Sequence, residues 1–89
     1  MGPADAPVRL SVVVPAHDEA DFLPATLASL ARQDFAGGFE VIVVDNASTD
    51  DTAAVAARHG ARVVTEPRPG VCAARQAGTL AARGDLVVS

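Results

Sequence analysis

The sequence predicts an α/β fold with a doubly wound parallel sheet, in the order β-α-β-α-β-α-β. Two observations carry this. Four short apolar runs, Leu10 to Val14, Val41 to Val44, Val63 to Val64 and Leu86 to Val88, alternate with longer stretches of helical character. The runs are apolar at nearly every position instead of every second one. Both faces of each strand are therefore expected to be buried, as in parallel strands joined by right-handed crossovers. With 89 residues, 49% of them hydrophobic, the chain can build one small domain with a modest core.

Residues 1–8 are rich in Pro, Gly and Ala without periodicity and read as a flexible leader, which leaves residues 9–89 for the domain. The first helix is expected to begin near Asp21, whose carboxylate can cap it, with Pro24 in the first turn and Leu23, Leu27 and Leu30 along one face. Ser48 or Asp50 is expected to cap the second helix, with acids in its first turn and an end at His59-Gly60. The third is expected from about Val71 to Arg83, closing on Gly84. Three helices leave one face and one edge of a four-stranded sheet only partly covered, which predicts a marginal or self-associating fold.

The net charge is −4, with seven Arg, no Lys and scattered acids, so no basic stripe is offered to a nucleic acid. Cys72 is the sole cysteine, which excludes an intrachain disulfide or a cysteine zinc cluster, and it is expected to pack inside. No apolar run approaches a bilayer span, and the first ten residues lack the charged and apolar regions of a secretory signal; a soluble, cytoplasmic chain is expected.

In an open parallel sheet ligands bind beyond the carboxyl ends of the strands, so the loops after the apolar runs matter most. They read Pro15-Ala16-His17-Asp18-Glu19, Asp45-Asn46-Ala47-Ser48-Thr49-Asp50 and Glu66-Pro67-Arg68-Pro69-Gly70. A dinucleotide-binding site needs glycines in the first loop, and none is present. A P-loop needs a lysine, and the chain has none. Acidic loops suit a partner rich in hydrogen-bond donors, such as the hydroxyls of a ribose or the N–H of a uracil, because ionised carboxylates only accept. Asp45 sits at a strand end, where a ligand acid and a structural one are both in place; Asp50 and Asp51 precede a helix, where capping is the plainer use. His17 can bond a ligand or satisfy a loop carbonyl, and His59 suits the carboxyl end of a helix dipole. Arg75, early in the third helix, is either exposed and solvated or a partner for Asp45 or for a diphosphate.

The segments Val12-Val-Val-Pro-Ala-His-Asp-Glu19, Val43-Val-Asp-Asn-Ala-Ser-Thr-Asp50, Gly70-Val-Cys-Ala-Ala-Arg-Gln-Ala-Gly78 and Gly84-Asp-Leu-Val-Val88 resemble, in order and spacing, the start of family 2 glycosyltransferases of GT-A fold. The resemblance runs from about residue 9 to the end. It implies the Rossmann-like first half of a GT-A domain and an inverting transfer of a sugar from a nucleoside diphosphate, commonly UDP, to an acceptor hydroxyl. It places Pro15, Ala16, His17, Glu19 and Asp45 at the nucleoside, with Ser48 and Asp50 shaping the second loop and Arg75 near the base and diphosphate. Asp18 and Gln76 stand where the family usually has Asn. By the same resemblance the chain is expected to end before the Asp-x-Asp motif that binds Mn²⁺ or Mg²⁺. A metal is thus expected only in a full-length relative, no catalytic residue or metal ligand is assigned within these residues, and little turnover is expected from them alone. The alternative is a non-catalytic nucleotide-binding domain or an inactive remnant.

Overall fold

A computed structural model describes residues 9–33, 38–84 and 86–88. The expected leader, residues 1–8, lies outside the described residues. The elements run β1 (Leu10–Ala16), α1 (Leu23–Ala31), β2 (Phe39–Asn46), α2 (Thr52–Arg58), β3 (Arg62–Glu66), α3 (Val71–Ala81) and β4 (Leu86–Val88). All pairings are parallel, in the order β3-β2-β1-β4, with the two longest strands in the middle.

Side chains alternate across the sheet, and the two faces build separate cores. On one face Ala16 and Val43 pack with Leu23 and Leu27 of α1 and with Val55 and Ala56 of α2. On the other, Val13, Ile42 and Val44 pack against Ala74 of α3. Helix α3 lies close to the sheet at Gly78, where an added Cβ would collide with the Val13 side chain. Helix α2 ends as expected: Gly60 has φ 84°, and the Gly60 and Ala61 amides donate back to Ala57 and Ala56.

Helix α3 starts at Val71 as expected, but the starts of α1 and α2 and the end of α3 differ from expectation. Helix α1 begins at Leu23 with Phe22 at the cap position and no side-chain cap; the Glu19 carbonyl accepts the Phe22 and Leu23 amides instead of Asp21 capping them. Helix α2 begins at Thr52, so the acids precede it, and Asp50 accepts the Thr52 N–H at 2.9 Å and the Thr52 hydroxyl. Helix α3 stops at Ala81, because Ala82 turns to an extended conformation and Arg83 and Gly84 instead bond the amino end of the sheet. Cys72 is exposed on α3, not packed. Strand β4 is exposed at all three residues. No described helix is long and apolar enough to cross a membrane.

At the amino end, fully buried Ser11 donates to Glu40 at 2.6 Å and accepts the Gly84 N–H at 2.9 Å. Glu40 also takes the Arg83 N–H at 2.7 Å and Arg62 at 3.2 Å, and Arg62 reaches the Ala81 carbonyl at 2.7 Å. An added Cβ on Gly84 would stand 2.8 Å from Ser11 N. This cluster joins β1, β2 and β3 to the turn that delivers β4.

Candidate functional site at the carboxyl ends of the strands

The loops after β1 and β2 are bonded to each other. Asp18, at φ 51°, accepts the Thr49 N–H at 2.6 Å and the Asp50 N–H at 3.2 Å, and its own N–H donates to Ser48 Oγ at 3.0 Å. The Glu19 N–H donates to Thr52 Oγ1 at 3.0 Å and the Ala20 N–H to Asp50 Oδ2 at 3.3 Å. The Thr52 O–H and N–H outweigh the burial that opposes them and hold the Asp50 carboxyl below its ordinary range. Ser48, Asp50 and Asp18 are thus engaged in fixing loop shape.

The third loop is held by Asn46, the last residue of β2. Its Nδ2 donates to the carbonyls of Glu66 at 3.0 Å and Arg68 at 2.7 Å, and its Oδ1 accepts the Gly70 N–H at 3.1 Å. Within that loop Arg68 pairs with Glu66 at 2.9 Å. The guanidinium first, then the Arg68 N–H, bring the Glu66 carboxyl down from 4.5 to about 2.

Between the first and third loops lies a cavity of about 320 Å³ lined by Pro15, Ala16, His17, Glu19, Asn46, Pro69, Gly70 and Val71. The His17 ring is 3.4 Å from Asp18 Oδ2 and bonds the Asn46 carbonyl through Nδ1 at 2.7 Å. A carbonyl only accepts, so Nδ1 carries the proton. That bond, followed by the Asp18 charge, raises the His17 pKa above 6.5. His17 thus satisfies a loop carbonyl while lining the cavity. Glu19 is half-buried at the cavity wall, and its carboxylate has no hydrogen-bond partner among the described residues. Asp45 accepts only the Ser48 N–H, at 3.3 Å, among the described residues.

Of the residues singled out from the sequence, Pro15, Ala16, His17 and Glu19 share the cavity. Asp45 does not line it: strand β2 runs on to Asn46, so Asp45 falls on the α1 and α2 face and Asn46 on the α3 face. Arg75 is exposed on α3, one turn beyond the cavity-lining Val71, and makes no pair with Asp45. Asn46, Pro69, Gly70 and Val71 were not singled out. The signal for them was the Asn at a strand end followed, after the next strand, by a Pro-Gly turn opening a helix.

A sequence model of the family described as Glycosyl transferase family 2 matches residues 11–89. The chain belongs to this family. An uncharacterized glycosyltransferase of Mycobacterium tuberculosis is 53% identical over 78 residues, covering 88% of this chain and 34% of that protein. Glucosyl-3-phosphoglycerate synthase of Mycolicibacterium paratuberculosis is 39% identical over 93 residues, covering 96% of this chain and 28% of that protein. The chain thus spans about a third of the length of these relatives. Among solved structures, the M. tuberculosis glucosyl-3-phosphoglycerate synthase with Mn²⁺, UDP and glucosyl-3-phosphoglycerate matches with a TM-score of 0.78 at 34% identity, over 94% of this chain and 32% of that one. The same synthase with Mn²⁺, UDP-glucose and phosphoglyceric acid matches equally, with a TM-score of 0.78. This family 2 chain therefore has the Rossmann-like sheet that its motifs imply. No three or more His, Cys, Asp or Glu among the described residues stand together as a metal site.

Proposed function

We propose that this chain is the donor-binding portion of a glycosyltransferase that takes a nucleoside-diphosphate sugar, UDP-linked, and passes the sugar with inversion to an acceptor hydroxyl. The observation that carries the reading is the cavity at the carboxyl ends of β1 and β2, where Glu19 keeps an uncommitted carboxylate beside apolar Pro15, Ala16 and Pro69. A planar base suits the apolar walls, and an acceptor-only carboxylate suits a ribose hydroxyl or a base N–H. The family 2 synthase structures, which hold UDP or UDP-glucose, support the choice of donor.

In this reading Pro15, Ala16, His17 and Glu19 receive the nucleoside and Asp45 contributes its spare acceptor from the neighbouring strand end. Ser48 and Asp50 keep the second loop in place. Arg75, exposed and beyond Val71 on α3, takes the diphosphate. The work of these residues is to bind and orient the donor.

Titration calorimetry tests the reading. UDP and UDP-glucose are expected to bind with a Kd of about 1 mM or tighter, and NAD not at all in that range. No heat from UDP at millimolar concentration, or equal binding of NAD, would remove it.

A further inference from the structure

We infer that Asn46 is a positioning residue that holds both walls of the cavity, pinning the β3–α3 loop with its side chain and orienting His17 with its main-chain carbonyl. The ligand it serves rests on the nucleotide-sugar reading above; the positioning role does not. Asn46 is 6% exposed, and its amide is fully committed: both Nδ2 hydrogens go to carbonyls, of Glu66 and Arg68, while Oδ1 takes the Gly70 N–H. Those three partners span the loop from the end of β3 to the start of α3. An amide supplies two donors and an acceptor in one fork, which neither a carboxylate nor a hydroxyl of that size does.

The loop needs such a hold. Gly70 adopts φ 120°, a conformation that side chains rarely take, and the residues on either side, Pro69 and Val71, are cavity walls. On the opposite wall the Asn46 carbonyl takes the His17 Nδ1–H at 2.7 Å, which fixes the ring's tautomer and its place beside Pro15 and Ala16. The separation of the two walls is therefore set from one residue of the central strand pair. Changing Asn46→Asp keeps the size but turns an acceptor-only group toward two carbonyls; changing Asn46→Ala removes all three side-chain bonds.

Amide hydrogen exchange by NMR, paired with UDP titration, separates this role from general stability. In the unaltered chain the Asn46 side-chain amide and the Gly70 N–H are expected to exchange at least about tenfold slower than the side-chain amide of exposed Gln76, a comparison that needs no variant to fold. Asn46→Ala and Asn46→Asp are expected to speed Gly70 exchange about tenfold and weaken UDP about tenfold, with Val43 and Val44 amides changed less than about twofold. Fast exchange at Asn46 and Gly70 in the unaltered chain would overturn the inference, as would a uniform rise that includes Val43 and Val44. A chain that binds no UDP but shows the selective Gly70 response loses the nucleotide reading and keeps the positioning role.

Discussion

At the amino end of the sheet Glu40 commits its carboxylate to Ser11, Arg83 and Arg62, whereas at the carboxyl end Glu19 and Asp45 keep acceptor capacity in reserve. Burial alone would raise the Glu40 pKa, but the Ser11 hydroxyl, the Arg83 N–H and Arg62 outweigh it and hold the group below 4.5. Its side chain is 12% exposed, and every partner belongs to the fold. Glu19 is half-buried too, yet its own fold gives its oxygens nothing among the described residues. An acid with its acceptors filled is a structural tie; an acid held beside a cavity with acceptors spare is where a donor-rich ligand fits. In the proposed reading the same residue type does two jobs on one sheet, and the inventory of partners separates them.

The largest effect should come from breaking the amino-end tie. Replacing Glu40→Ala strands the Ser11 hydroxyl, the Arg83 amide and one Arg62 contact, and about 2–4 kcal/mol of stability is expected to go, read by urea unfolding. A loss under about 0.5 kcal/mol would mean that those bonds are made equally well to water. Next comes Gly84→Ala, whose Cβ would press on Ser11 N and on Leu10 C at 2.9 Å. About 1–3 kcal/mol of destabilisation is expected, again by unfolding, because backbone on the central strand cannot move aside cheaply.

The smallest effect is the pH response of the carboxyl-end loops. His17 has its pKa raised by the Asn46 carbonyl and then by Asp18, so its contribution to stability is complete below 6.5 and is lost as pH rises through the raised value. A small fall in melting temperature is expected above pH 6.5 and should vanish in His17→Asn. Persistence of the same slope in the variant would assign it elsewhere.

Much of the fold was legible because the apolar runs are unambiguous: Leu10, Val13, Val43 and Val44 lie in strands, and Leu23 and Leu27 are buried under α1. Helix starts were less so, since a capping residue type does not reveal whether a carbonyl such as that of Glu19 has already taken the free amides. The site was half legible. Pro15, Ala16, His17 and Glu19 share the cavity because the strand-end loop carries them together, but Asp45 and Asn46 are adjacent in sequence and face opposite sides of the sheet. One extra residue of strand decides which of them meets the third loop. The side-chain bonds from Asn46 to residues 66–70 join segments about twenty residues apart, and no local pattern announces them.

The most direct test of the contrast is UDP titration of Glu19→Gln and Asp45→Asn, each compared with the unaltered chain in binding and in unfolding. Affinity is expected to be about tenfold weaker in each variant with stability within about 0.5 kcal/mol, because each change leaves one side-chain oxygen to the fold, including the Ser48 N–H bond of residue 45, and removes an acceptor proposed for the ligand. Unchanged affinity in both variants would contradict the contrast.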